Sequence, residues 1–395
     1  MELLLGPELT RTRRELRAFA DRVVAPLADR HDREQRLDPS VIRELAAQRL
    51  LAAELAPELN GRGMDPIALG LVMEELGRTC SSVRSLATVH GMVAHTIARW
   101  GSRAQRDEWL PRFGNGESLA ALAVTEPGAG SDLAGVQTRA VRAGDDLVVS
   151  GDKRWTTCGQ IADAFLVLAA SDAGPIALLV RRDTPGLAIE PIRDMLGTRG
   201  SMLAALSLRE CRVPATASIG RPGTGLSWII ATALDHGRFT VAWGAVGIAQ
   251  ACLEASLRHA MTRRQFGAPL VEHQLVRRML SEMTASTRAA RLLCLHAARL
   301  RQARHSDSIA ETSLAKHVAA RTAMQVAHDA VQIHGALGCS ADSAVERHFR
   351  DAKIMEIIEG SNEMHQLHIA DLALADLSEF DADLPALDAA REGAP

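Results

Sequence analysis

Three long stretches with few helix breakers constrain this chain most: residues 227–261, 271–304 and 309–333, each rich in Ala, Leu and Arg. Long amphipathic helices in series bury their apolar stripes against one another, so the pattern predicts a helical bundle. Residues 7 to about 118 also read as helical. Leu16, Phe19, Val23, Val24 and Leu27 recur at helical spacing, Asp38-Pro39-Ser40 offers a helix start, and Asn60-Gly61 a break. Further helices are predicted over residues 66–76 and 92–100. Between the helical sections the texture changes. Apolar runs at 147–150, 165–168, 176–180 and 203–208 alternate with Gly, Asp and Pro turns, which predicts a small barrel or sandwich. The fold class expected is α+β: a helical domain (1–120), a middle β-barrel domain (121–223), a four-helix bundle (224–378) and a flexible tail (379–395). The acidic, Ala-rich sequence from Asp371 on is predicted to fray. No internal repeat is present.

Composition narrows the function. With 45 basic and 48 acidic residues the net charge is −3, which argues against nucleic acid as a partner. No apolar run reaches the ~18 residues needed to span a bilayer, and the first residues lack the order of a secretory signal. Cys80, Cys158, Cys211, Cys252, Cys294 and Cys339 are scattered without a CxxC pair, so neither disulfides nor a metal site is expected, and a cytoplasmic location is. The 395 residues contain no Tyr, only 7 Phe and 5 Trp, so Leu, Ala, Val and Ile must pack the core. The dinucleotide fingerprint GxGxxG, the P-loop, HExxH and GxSxG are all missing.

Four segments carry chemistry. Residues 122–132 (LAVTEPGAGSD) run a strand into a Gly-rich turn whose N–H groups and hydroxyls suit a polar ring or phosphate; the sequence also fits an ordinary turn. Residues 151–157 (GDKRWTT) offer a Trp face for a flat cofactor and a Thr donor, or plain strand packing. In 262–269 (TRRQFGAP), Arg263 and Arg264 suit a pyrophosphate or a solvated helix end. Last come 332–338 (QIHGALG), 350–353 (RDAK) and 354–363 (IMEIIEGSNE). There Glu359 lies between isoleucines and a Gly, a setting that raises a carboxyl pKa towards that of a general base, unless the group is simply exposed.

Taken together and in this order, these segments resemble the acyl-CoA dehydrogenase family over residues 7–375. The resemblance implies FAD. Val124, Thr125, Gly130 and Ser131 would touch its isoalloxazine ring, with Trp155 and Thr157 near N5. Arg263, Gln274, Gln332 and Gly335 would reach the FAD of a neighbouring subunit in a homodimer or homotetramer. Ser361 and Glu363 would close over the subunit's own cofactor. Glu359 would be the catalytic base, taking a proton from an acyl thioester whose developing oxyanion is stabilised by hydrogen bonds while a hydride leaves for the flavin. Asp235 and Arg238 match positions that contact the carrier end of the thioester. An electron-transfer flavoprotein or oxygen would accept the electrons.

Two departures point to the substrate. Many fatty-acyl members have Tyr before the base; here it is Ile358. Residues 80–91 (CSSVRSLATVHG) and 237–244 (GRFTVAWG) resemble glutaryl-CoA dehydrogenases, where an Arg and a Ser hold a far carboxylate; the bland alternative is a helix start with an exposed Arg. Arg84, Ser85 and His90 are thus candidates for reading a polar acyl end, since an alkyl tail would leave a buried charge unpaired. The same blocks, with 315–320 (AKHVAA), resemble still more the flavoproteins that make hydroxymalonyl or methoxymalonyl extender units on an acyl carrier protein. The expected function is therefore oxidation of a three-carbon hydroxyacyl unit on acyl carrier protein. A glutaryl- or short-chain acyl-CoA dehydrogenase is one alternative, and a non-catalytic scaffold of the same fold another.

Overall fold

The computed structural model describes residues 2–380. The first section is helical: α1 (Glu2–Phe19), α2 (Ala28–Glu34), α3 (Pro39–Ala47), α4 (Pro66–Thr79), α5 (Ser81–Trp100) and α6 (Arg103–Gly114). Asp38 caps α3 by accepting the Ser40 N–H, and Asp65 caps α4 by accepting the Ala68 N–H. Helix α5 begins eleven residues before the Met92 start predicted from sequence. Its first half hides no simple apolar stripe, because Ser81, Ser82, Arg84, Ser85, Thr88 and His90 are all buried along with their apolar neighbours.

The β section holds β1 (Ala120–Ala123), β2 (Arg139–Ala143), β3 (Asp146–Thr156), β4 (Ala164–Ala169), β5 (Ile176–Arg181), β6 (Leu187–Pro191), β7 (Ala204–Pro214) and β8 (Ser218–Ile219). They form two four-stranded sheets, ordered β1-β4-β5-β8 and β2-β3-β7-β6, antiparallel except for β1 beside β4. Ala140 N–H donates to Ala170 and Ala170 N–H to Thr138, which staples the sheets at one corner. Between the choices of barrel and sandwich, the result is two packed sheets stapled at that corner, with β1 and β8 ending one sheet and β2 and β6 the other. Strands β2 and β6 escaped sequence reading because they are half-exposed edges without a run of large apolar residues.

The third section contains α7 (Ala231–Thr262), a small hairpin of β9 (Arg264–Gln265) and β10 (Ala268–Pro269), α8 (Gln274–Ala303), α9 (Ser308–His334), α10 (Ala344–Met355) and α11 (Asn362–Phe380). Helix α11 continues through Asp371 to Phe380, so the chain stays helical where fraying was predicted; residues 381–395 lie outside the described part. The stretch Gly225–Thr262 is long and apolar enough to cross a membrane, but 78% of its apolar window is buried inside the fold. It is the central helix. A Cβ at Gly77 would fall 2.3 Å from the Gly244 carbonyl, and one at Gly247 2.1 Å from the Glu74 carbonyl, so α4 and α7 touch backbone to backbone. One apolar core consequently runs through both helical sections, and a second fills the space between the sheets. All six cysteines are free, and five are buried.

Candidate active site

The site is built on the turn between α10 and α11. Glu359 and Gly360 have φ of 57° and 91°, two left-handed residues in succession that reverse the chain. The Glu359 carbonyl accepts from Arg238 Nε of α7 at 3.2 Å and from His365 Nε2 of α11 at 3.3 Å. Its carboxylate lies against α7, where a Cβ on Gly237 would sit 2.4 Å from Oε2. Oε2 is buried and has no hydrogen-bond partner. Burial pushes the carboxyl up to about 7, opposed by Arg238, Lys316 and Arg84. Glu359 is therefore not the solvated helix-end residue that its sequence also allowed.

Arg84 lies on the same side of α7. It is 1% exposed, and its stem packs where a Cβ on Gly244 would intrude. Its Nη1 donates to Thr88 Oγ1 at 3.3 Å and its Nη2 to Met355 Sδ at 3.3 Å, while Nε has no partner. No carboxylate lies within ion-pair distance among the described residues, and burial pulls the guanidinium down to about 10. The alternative of an exposed Arg is overturned. Ser85 is buried beside it. His90 is not available to a substrate: Nε2 donates to the Phe113 carbonyl at 3.0 Å and Nδ1 accepts the Ala120 N–H at 3.1 Å. It joins α6 to β1, and burial holds it neutral, with its pKa lowered to about 4.

Burial pushes the Cys158 thiol up to about 12, and the Arg84 guanidinium opposes the shift. Trp155 has φ of 59° and is 46% exposed, with the Arg154 guanidinium 5.4 Å from its ring centroid, so a partly exposed aromatic ring stands at this edge. The Arg154 N–H donates to the Thr125 carbonyl at 2.8 Å, bringing Val124 and Thr125 beside Trp155 and Thr157. The Glu and Lys of the two motifs turn out to be scaffolding. Lys153 Nζ meets Glu126 Oε1 at 2.7 Å, both buried, and Glu126 also accepts from Thr138 N, Thr138 Oγ1 and Gln137 N. This pins the loop that carries exposed Gly130 and Ser131. A partly exposed Trp ring, nearby hydroxyls and a buried Thr156 Oγ1 without a partner fit a flat, polar cofactor ring.

The remaining candidates lie elsewhere. Arg263 caps the end of α7, Gln274 opens α8, and Gln332 and Gly335 end α9; the stacked His259 and His334 rings, 4.3 Å apart, hold the α7 and α9 ends together. All four candidates are exposed, and so is Phe266 on the hairpin tip, at 95%. Ser361 Oγ accepts the Met364 N–H at the start of α11, and Glu363 is exposed. Asp235 is already engaged by Arg301 Nη2 at 2.5 Å, whereas Arg238 Nε donates to the Glu359 carbonyl. Sequence reading missed Lys316, whose Nζ donates to the Gly360 carbonyl at 2.6 Å. It also missed a cluster of Glu54, His95 and His236 whose ligand atoms lie within 4.8 Å of one another. Glu54 accepts from His95 Nδ1 at 3.2 Å and is pulled down to about 2: His236, His95 and Arg301 outweigh its burial. The group reads as an internal ion pair.

Three family profiles match: the acyl-CoA dehydrogenase N-terminal domain over residues 6–117, the middle domain over 121–211 and the C-terminal domain over 223–374. The chain belongs to the acyl-CoA dehydrogenase family. It is therefore a FAD-dependent oxidoreductase. Human mitochondrial short-chain specific acyl-CoA dehydrogenase is 36% identical over 360 residues, spanning 90% of this chain and 87% of that one. The structure of FkbI, for biosynthesis of the methoxymalonyl extender unit of the Fk520 polyketide, is similar at 39% identity and a TM-score of 0.85, covering 91% of this chain and 99% of that one. A Mycobacterium smegmatis glutaryl-CoA dehydrogenase in complex with FADH2 is similar at 30% identity and a TM-score of 0.90, with 94% and 96% covered.

Proposed function

We propose that this acyl-CoA dehydrogenase oxidises a small polar acyl thioester, with Glu359 as base and Arg84 and Ser85 reading the polar end. The observation that carries the reading is the pair on one face of α7: a buried carboxylate with a free oxygen and a buried guanidinium with no carboxylate partner. An uncompensated buried cation is costly, so the pocket favours an acyl group that brings an acceptor and disfavours an alkyl tail. The carboxylate takes the proton of the substrate, from the α-carbon in a desaturation or from a hydroxyl in an alcohol oxidation. FAD, when bound, accepts the hydride and passes its electrons to an electron-transfer flavoprotein or oxygen. Arg238 holds the Glu359 backbone, and its neighbour Asp235 with it addresses the carrier end of the thioester.

The substrate we favour is a three-carbon hydroxyacyl unit on acyl carrier protein, as for extender-unit biosynthesis. The likeness to FkbI and the polar pocket support it; the likeness to glutaryl- and short-chain acyl-CoA dehydrogenases supports the CoA alternative. A cytoplasmic setting fits the six free thiols. The exposed Arg263, Gln274, Gln332 and Gly335 serve the FAD of a second subunit in a homodimer or homotetramer, while Gly130, Ser131, Ser361 and Glu363 line the subunit's own cofactor.

The test mixes FAD-loaded protein anaerobically with glyceryl-acyl carrier protein, glutaryl-CoA and butyryl-CoA and follows flavin bleaching. Bleaching by the carrier-protein substrate alone is expected, and rapid bleaching by butyryl-CoA overturns the reading. Glu359→Gln is expected to stay yellow and lose reduction. Arg84→Ala is expected to raise KM for the polar substrate at least tenfold, with little change for an apolar one.

A further inference from the structure

The segment 315–320 contains a charge that the reading above does not use. Lys316 sits on α9 among Ala315, Ala319 and Ala320, and it is 0% exposed. A buried ammonium is retained at such a position only where something nearby repays its lost hydration. Its acceptor is the Gly360 carbonyl, 2.6 Å away, in the residue that follows the base. The adjacent carbonyl, that of Glu359, is held by Arg238 from the other long helix. Two cations on α7 and α9 thus grip two successive carbonyls of a left-handed turn that the Asn362 N–H closes onto the Glu356 carbonyl at 2.9 Å.

We propose that Lys316 is a positioning residue for the base: through the Gly360 carbonyl it fixes the Glu359–Gly360 turn against α7 and seats its ammonium one residue along the backbone from Glu359. The inference rests on Glu359 being the base. The charged and titratable groups around the pair are Arg238 from α7, Arg84 from α5, His317 from α9, Glu356 and Glu363 flanking the turn, and His365 from α11. Burial lowers Lys316 to about 8, and Glu359 opposes the shift. Lys316 in turn lowers Glu359, so each favours the charged form of the other.

The experiment reads the protonation of Glu359 without turnover. Infrared difference spectra between FAD-loaded protein and its Glu359→Gln counterpart isolate the carboxylic-acid stretch, which is followed from pH 5 to 9. In the Lys316→Met background the midpoint is expected to rise by about one unit or more, roughly tenfold less carboxylate at neutral pH. Lys316→Arg is expected to stay close to wild type, because it keeps the charge. A Lys316→Met protein that is folded and yellow with an unchanged midpoint overturns the proposal. If that variant fails to hold FAD, Lys316→Gln is read in the same way, since it keeps a donor but removes the charge. The base assignment fails separately, if Glu359→Gln still reduces its flavin whatever the midpoint does.

Discussion

Gly237 shows how much of the chemistry depends on the absence of one carbon. The carboxylate of Glu359 occupies the space that a side chain at 237 would fill, with Oε2 2.4 Å from an ideal Cβ. Gly237→Ala should push the base out of line and slow flavin reduction by roughly 10²-fold, the scale of a 1 Å misplacement. Stopped-flow bleaching by the thioester that reduces the wild type checks this; an unchanged rate contradicts the packing argument. The same burial makes Glu359 a compromise. Its folded pKa near 7 lies above the ordinary 4.5, so the folded state holds a proton that the unfolded chain has released between those values. Its stability contribution is whole below 4.5 and is lost as pH rises through 7. Glu359→Gln should therefore melt higher than the wild type at pH 8 in thermal scans, while kcat/KM of the wild type rises with pH up to about 7 because only the carboxylate accepts the proton.

Elements are tied together by buried polar groups that sequence patterning does not distinguish from functional ones. His90 is an example. Its two nitrogens join the α6 end to β1; with Phe in its place the Phe113 carbonyl keeps the Gly116 N–H but the Ala120 N–H is left unpaired, a cost of about 1–3 kcal/mol in denaturant unfolding. Its folded pKa near 4 lies below the free value of 6.5, so the unfolded chain binds the extra proton in that window. The stability it adds is present above 6.5 and is lost as pH falls through 4. His236, also lowered to about 4, acts in the same direction. Lys153 and Glu126 belong to the same class: Lys153→Met leaves the buried carboxylate its Thr138 and Gln137 donors but no cation, and should cost about 3 kcal/mol while weakening FAD retention in the visible spectrum. Full stability and full flavin content in that variant would count against a scaffolding role.

At the scale of the molecule, the exposed end where α7, α8 and α9 meet carries a fully exposed aromatic residue, Phe266, on a hairpin whose other residues are polar or small. Light scattering is expected to find the wild type at least dimeric, with Phe266→Ser shifted to smaller species and lower FAD content; a monomeric wild type with full FAD refutes the shared-cofactor proposal. The amino-acid sequence by itself determined the order helices, sheets, helices, because periodicity and turn residues are local. It also marked Thr125, Trp155 and Glu359, because their neighbours form recognisable blocks. Only the tertiary structure decided which buried polar residues are left without partners. Arg84 and His90 lie six residues apart on one helix, and both are buried. One keeps an unpartnered nitrogen, and the other has both nitrogens consumed by α6 and β1. That difference depends on where distant segments pack, as does the meeting of Lys316 with Gly360 across 44 residues. Hydrogen-bond partners brought from far along the chain leave no periodic trace in it.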